Sequence, residues 1–546
     1  MFSRKLSREL RTPIVGRTRT SRWAALCGSG AAVSLVASLA QAAPSAPGNV
    51  MVPPLATTST ATTIIWSKPS SYSTVASYNV YKNGSLLGNT SKLFYAVSGL
   101  GANSSTSFFV RSKDTSGVES SNSNTITVST PAAPTVINIT ASPYSAVGDG
   151  SKLNTAAIQA AINACPSGGT VLVPSGTFKS GAIFLKSNMT LQVDGTLKGS
   201  DAIADYPFTS RRFPYYTNAN YMGLVNAYTT SYGSLSNIRI VGKGTIDGGT
   251  YSSGATLTTL GSAETSAKGD TARGDLITIK GVNGIYLGGV TVVHPAEHAI
   301  FLSYSNNITV NGINVSTYGI HNGDGIDIAT SDTGYVFNST FDTGDDCVNF
   351  NAGTSAPGVI ENRPLNNVRV FNITAKRGHG GVVFGSFTAG WIKNILVEDS
   401  TFDGTDIGLR FKTGADRGGG GTQVTARDLT IKNITTDAIS FDSNYPAGTS
   451  YTPASSPGVF QNVTLSNITV STAKGFGIWI HGLSNAKDSA LNLTNITLSS
   501  TKGASIDQFT NSTFNKVTFT SNTQSKVWTV SNTTTFSCVS CSPSYP

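Results

Sequence analysis

A right-handed parallel β-helix, preceded by a small antiparallel β-sandwich, is the all-β architecture this sequence predicts. Three observations predict it. Short β-branched runs, most headed by asparagine, recur from Asn307 onward at roughly two to three dozen residues, the period of stacked coils. Helical periodicity is convincing once, over Ala156–Ile162. Nearer the start, alternating strands and a hairpin signal at Asn83-Gly84 recur at the spacing of a sandwich.

The first 42 residues read as a secretory signal peptide, not as part of the fold. Arg4, Lys5, Arg8, Arg11, Arg17, Arg19 and Arg22 form a basic leader, Trp23–Leu39 an apolar run, and Ala40-Gln41-Ala42 a small-residue cleavage site. The expected location of the mature protein is periplasmic or extracellular, with no membrane span. Seven basic residues and one acid leave with the leader, so the formal charge of +9 falls to +3. The basic balance is therefore mostly a targeting signal, and no basic patch interleaved with aromatics points to nucleic acid.

Residues 44–130 read as a sandwich with strands around Thr62–Trp66, Ala76–Tyr81, Thr106–Val110 and Asn124–Val128. Trp66, Tyr78-Asn79-Val80-Tyr81, Leu100 and the Asp114–Gly117 turn resemble a fibronectin type III domain, with Phe108 where that family usually has tyrosine. The resemblance implies a spacer. The expected linker is 131–137, and the coil domain 138–546.

Within the coil domain, Asn307-Ile308-Thr309-Val310 recurs as Asn367-Val368-Arg369-Val370, Asn394-Ile395-Leu396-Val397, Leu429-Thr430-Ile431, Asn462-Val463-Thr464-Leu465 and Asn492-Leu493-Thr494. One coil cannot bury its own apolar face; stacking buries a continuous core, and the Ala156–Ile162 helix would cap its open end. Repeated asparagines read as stacking ladders in preference to glycosylation acceptors. Cys538 and Cys541 are placed to close a small disulfide loop, and Cys347 reads as a buried side chain.

Charge is scarce: 12% of residues are Asp, Glu, Lys or Arg, against roughly a quarter in ordinary globular domains. Yet His321–Lys412 holds three clusters and a cationic pair: Asn322-Gly323-Asp324, Asp345-Asp346, Gly378-His379-Gly380 and Arg410-Phe411-Lys412. Asp324, Asp345 and Asp346 are expected on neighbouring coils, where stacked strands lie about 4.8 Å apart. Gly344 is expected to bend the backbone so that both adjacent aspartates face one groove. Carboxylates in one cleft cannot all ionise easily, so at least one should titrate high, the condition for pairing a general acid with a general base. Arg410 and Lys412 share a strand face and suit a sugar carboxylate. Five histidines without a spaced pair give no zinc pattern, and no cofactor or metal is expected.

These clusters, in this order, resemble the signature of glycoside hydrolase family 28, the polygalacturonases, whose pattern is Asn-Thr-Asp, Asp-Asp, Gly-His-Gly and Arg-Ile-Lys. Ile439-Ser440-Phe441-Asp442-Ser443-Asn444-Tyr445 matches a later stretch ending in tyrosine. The departures are Gly323 for Thr and Phe411 for Ile, and the likeness spans about Asn138 to Thr520. The resemblance implies inverting hydrolysis of α-1,4-galacturonosidic bonds in polygalacturonate and pectin oligosaccharides by a monomer. It implies Asp345 as proton donor, Asp324 and Asp346 as activators of water, His379 as a tuning group, and Asn322, Arg410, Lys412 and Tyr445 as substrate-binding. The layout resembles bacterial exo-acting members with a fibronectin-like domain in front; Asp201–Ala272 and Asn351–Asn366 would wall off one end of the groove. An endo-acting or other pectic hydrolase, a Ca²⁺-dependent pectate lyase and a non-catalytic β-helix adhesin are the alternatives.

Overall fold

The computed structural model describes residues 42–217, 219–249, 273–447 and 451–545. The expected signal peptide, apart from residue 42, and residues 218 and 250–272 of the Asp201–Ala272 stretch lie outside the described residues. Among the described residues no helix is long and apolar enough to cross a membrane.

Residues 44–546 form one compact unit. Its first part is a sandwich of a three-stranded antiparallel sheet (Gly48–Met51, Thr62–Ser67, Phe94–Val97) and a four-stranded one (Val75–Lys82, Ser85–Thr90, Ser105–Asp114, Ile126–Ser129). Asn83 and Gly84 both take positive φ, 48° and 82°, as a tight two-residue hairpin requires. Trp66 and Phe108 are wholly buried between the sheets, so phenylalanine in place of tyrosine keeps the core.

The remainder is a parallel β-helix of three strand ladders, each strand pairing in parallel with its equivalent one coil on. Crossovers between parallel strands of one sheet are right-handed. The first rung begins inside the expected linker: Val136–Asn138 already pairs with Thr170–Leu172. Helix Thr155–Ala164 buries Ile158, Ala161 and Ile162 against the end of the core, closing it. Asn188, Asn237, Asn307, Asn338, Asn367, Asn394, Asn462 and Asn495 all take positive φ at coil corners, a conformation asparagine tolerates because its amide bonds locally. Their amides bond from coil to coil, as Asn237 to Asn188 at 2.9 Å and Asn394 to Asn366 at 2.8 Å.

Two repeat units are out of register with the sequence reading. Leu429–Ile431 belongs to the second ladder, beside Thr401–Asp403. Asn492 faces Thr464, two residues past the asparagine corner. Each coil carries three strands of similar composition, so a match by composition can lock onto the wrong strand.

The sandwich is not a free spacer. It lies along the first ladder and shares a core with it: Phe94 packs on Phe337 with ring centroids 5.4 Å apart, and Phe337 and Phe371 are buried in the cluster that contains Trp66. Lys68 Nζ lies 2.5 Å from Asp399 and 2.6 Å from Asp428, and Arg369 donates to the Trp66 carbonyl at 2.8 Å. The Cys538–Cys541 disulfide is formed, and Cys165 and Cys347 are buried and free.

Candidate active site

The third ladder carries the charge. Its strands include Ile300–Ser303, Ile326–Ala329, Asp346–Asn351, Gly380–Phe384, Ile407–Lys412 and Ile439–Asp442, in coil order. Inward residues make the core; Phe384, Phe411 and Phe441 stack ring on ring at 4.3 and 4.1 Å, within 3° of parallel. Phe411 therefore stands where isoleucine is usual because it completes an aromatic ladder. Gly323 is explained as directly: a Cβ there would meet the Ile320 carbonyl at 2.8 Å, so a threonine needs a wider turn.

Asp324 and Asp346 stand at equivalent places on consecutive coils, with Ile326 beside Val348 and the Gly325 N–H donating to the Asp346 carbonyl at 2.9 Å. Asp345 falls just before the strand, where its N–H reaches the Gly323 carbonyl at 3.3 Å. That position, not a bend at Gly344, brings both side chains to one site; Gly344 keeps an ordinary φ and is required because the Ile320 backbone packs against it. One carboxylate oxygen from each of Asp324, Asp345 and Asp346 lies within 4.8 Å of the others.

Each carboxylate has its own partner. Asp346 receives Lys412 Nζ at 2.7 Å and Arg410 Nη1 at 3.3 Å. Asp345 lies 3.0 Å from His379 Nδ1 and accepts from the Asn322 amide at 3.3 Å. Asn322 is in turn held by Arg273 at 2.9 Å. Tyr445 lies with its ring centroid 5.8 Å from the Arg410 guanidinium and 5.6 Å from Lys412 Nζ. All eight residues expected at the site are thus in one place.

The environment sets their protonation. Burial, then the negative charges of Asp327, Asp345 and Asp346, push Asp324 well above the usual carboxylate range, with Lys412 opposing. Burial also works upward on Asp345, but the His379 hydrogen bond and the charges of Lys412 and Arg410 outweigh it and hold this carboxyl low. The hydrogen bond to Asp345 raises His379, against its burial. Of the two carboxyls, Asp324 therefore holds a proton more readily than Asp345.

A second layer was not singled out in the sequence. His298 places Nδ1 2.9 Å from Asp275 and Nε2 3.5 Å from Asp324 and 4.0 Å from Asp327. Arg212 lies 2.5 Å from Asp275 and 2.9 Å from Glu297. Burial lifts Asp327 to about 6, with His298 and Arg212 opposing. None of these residues lies in a local motif. The one signal available was a buried-type run, Ala299–Leu302, directly following Glu297-His298. Asp275, Glu297 and His298, and His298, Asp324 and Asp327, are spaced to hold a cation, as is the aspartate triad. Arg212, Arg410 and Lys412 place fixed positive charge on Asp275, Glu297 and Asp346 of these groups.

Arg212 arrives on residues 201–217, the first part of the expected Asp201–Ala272 wall; residues 225–247 of that stretch carry strands of the coils themselves. Tyr215 and Tyr216 continue it: Tyr216 stacks on Tyr451 at 5.3 Å, and the Tyr215 hydroxyl accepts from the Thr354 N–H at 2.9 Å, at the head of helix Ser355–Glu361. Asp324, Asp346, Asn349 and Asn351 are 4, 1, 6 and 7% exposed. These side chains are consequently enclosed on the sheet face, while the His379 side chain is 52% exposed.

Residues 165–539 match the family described as "Glycosyl hydrolases family 28". The chain is 35% identical to an exo-poly-α-D-galacturonosidase of Dickeya chrysanthemi, over 87% of this chain and 90% of that one. It is similar to the solved structure of a family 28 exopolygalacturonase of Yersinia enterocolitica, with a TM-score of 0.85 and 32% identity, covering 90% of this chain and 99% of the other. A hyperthermoactive exopolygalacturonase of Thermotoga maritima shares the fold, with a TM-score of 0.58 and 24% identity over 68% of this chain and 88% of its own.

Proposed function

Because the chain belongs to glycosyl hydrolases family 28, we propose that it hydrolyses α-1,4-galacturonosidic bonds of polygalacturonate from a chain end, as an exo-acting polygalacturonase. The observation that carries this reading is one arrangement. Three aspartates meet within 4.8 Å, beside the fixed cations Arg410 and Lys412. Residues 201–217 are anchored against the same site through Arg212.

Arg410 and Lys412 receive the galacturonate carboxylate, with Tyr445 against the ring. Asp345, at the open rim beside His379, donates its proton to the glycosidic oxygen. Asp324 and Asp346 take the proton of the water whose oxygen bonds to the anomeric carbon. The protonation of the free site does not yet match these roles, since Asp345 is the low carboxyl. Substrate acts in the required direction: a uronate on Arg410 and Lys412 offsets two of the charges that hold Asp345 down, which favours a proton on Asp345. His379 bonds Asp345 in both states and tunes it.

Inversion is inferred from the family and not from spacing. The nearest oxygens, within 4.8 Å, are closer than the roughly 6.5–9.5 Å usual between carboxyl groups of inverting hydrolases. Proton NMR of the first product anomer tests it: α-product from this α-linked polymer means retention and would require a covalent role for one aspartate.

The deciding experiment is product analysis on polygalacturonate with chelator present. Reducing ends without unsaturated uronides, and mono- or digalacturonate from the first time point, are expected. A spread of oligomers would make the enzyme endo-acting; chelator-sensitive unsaturated product would make it a lyase. We further propose export through the N-terminal leader to the periplasm or beyond, where pectic polymer is found, and action as a monomer. Sequencing the N-terminus of the exported protein tests the first and light scattering the second.

A further inference from the structure

Beyond the Arg410–Lys412 pair, the third ladder continues for several coils that the hydrolytic reading does not use. Its outward positions line up by register. Arg410 pairs with Ser440, Ser440 with Trp479, and Trp479 with Ser505. In the next outward row, Lys412 pairs with Asp442, Asp442 with His481, and His481 with Asp507. Ile478 and Ile480 are buried in the core, so alternation along the strand turns Trp479 and His481 to the face that carries Arg410 and Lys412.

Trp479 is out of place there as a structural residue. Inside the coil, aromatic side chains stack on aromatic neighbours from coil to coil, as Phe384, Phe411 and Phe441 do. Trp479 has serine on both sides in its ladder, and its one recorded ring contact is an edge-on meeting with His481 at 5.4 Å and 67°. A half-buried indole between two small hydroxyls leaves ring surface that no side chain of its own row covers. Trp66 and Trp528, by contrast, are buried in the sandwich core and at the C-terminal end.

The geometry points to Trp479 as a platform for the galacturonan chain beyond the cleaved bond, with His481 beside it. Trp479 lies two coil steps from Arg410, about 10 Å along the sheet, the scale of two pyranose units. Arg212 of residues 201–217 covers the earlier coils at Asp275 and Glu297, whereas the outward row beyond Arg410 continues over the later ones. The apolar C–H face of a pyranose packs on an indole, whose N–H remains free to bond a hydroxyl. Ser440, 3% exposed, and the partly exposed Ser505 are both small, so neither stands above the indole. His481, when protonated, suits a uronate carboxylate; Lys412, Asp442, Asp507 and Arg410 are the charged groups around it.

This inference rests on the galacturonan reading, and its test separates the two. kcat/KM is measured on polygalacturonate and on the shortest oligogalacturonate the wild type cleaves, for the wild type and Trp479→Ala. The expected result is that the polymer-to-oligomer ratio falls about tenfold in Trp479→Ala, through KM on polymer, and that Trp479→Phe restores most of it. Equal losses on both substrates, or no loss on either, overturn the platform while leaving polygalacturonate hydrolysis intact. Failure of the wild type to cleave polygalacturonate overturns both. If Trp479→Ala does not fold, indole fluorescence of Asp345→Ala titrated with octagalacturonate decides: quenching that Trp479→Phe abolishes supports the platform, and quenching that persists in Trp479→Phe, or its absence, rejects it.

Discussion

His298 Nε2 lies 3.5 Å from Asp324 Oδ1, with the opposite ring nitrogen 2.9 Å from Asp275. Burial and Arg212 work against the imidazolium, but Asp327, Asp275 and Glu297 outweigh them and raise its pKa. The charged form of the ring is thus favoured beside a carboxyl that its other neighbours push upward.

Removing that charge moves the pH profile. In the proposed role Asp324 is ionised to accept a proton from water, and a protonated His298 favours the ionised form. His298→Gln is therefore expected to shift the acid limb of kcat/KM toward higher pH by about 1–2 units. A pH–rate series measures it; a uniform loss at every pH would reduce His298 to a packing role.

Asp345→Ala removes the carboxyl proposed as proton donor. General acid catalysis contributes typically about 10²–10⁴-fold, so kcat should fall by that order while polygalacturonate still binds, read by reducing-end assay and calorimetry. Unchanged turnover rejects the assignment.

Lys412→Met leaves Asp346 with Arg410 alone at 3.3 Å. The pair is buried, Lys412 being 8% and Asp346 1% exposed, and breaking such a pair costs about 3 kcal/mol or more. Chemical denaturation should show that loss, together with a raised KM for polymer. Lys412→Arg should restore stability better than activity, because a guanidinium beside Arg410 alters the geometry offered to the sugar carboxylate.

Stability should fall as pH rises from about 4 to about 7, in part through Asp488. It is fully buried beneath the Tyr445 segment, accepting from Ser443 Oγ at 2.8 and 2.9 Å and from the Phe460 N–H at 2.8 Å. Burial pushes it up to about 7, against the bond from Phe460. In that window the folded state keeps a proton that the unfolded chain has lost, so the sign is destabilising with rising pH, by up to about 4 kcal/mol. Asp488→Asn should flatten this slope in melts at pH 4 to 7; an unchanged slope rejects the attribution.

The sandwich should melt together with the helix. Lys68→Met leaves Asp399 and Asp428 facing each other without their cation, a loss of about 2 kcal/mol given their partial exposure. Calorimetry should show one transition in the wild type and an earlier, separate one in the variant.

Legible in the sequence alone were the coil architecture, the helix cap, the hairpin at Asn83-Gly84 and the eight candidate residues that the structure brings together. These are local signals: each motif occupies a few consecutive residues, and a regular coil period delivers them to one face without further instruction. Only the tertiary structure decided the rest. Whether Leu429–Ile431 stacks on Asn394 or on Thr401 depends on register, which composition shared by three strands per coil does not encode. Arg212 meets Asp275 and Glu297, and His298 meets Asp324, across separations no local pattern spans, because residues 201–217 fold back over the sheet. Trp479 became legible as a groove residue once pairing placed it in line with Arg410, and the sandwich as part of one body once Lys68 was seen between Asp399 and Asp428. In a β-helix the period sets which side chains share a face, while long-range packing sets which of them are charged, covered or free.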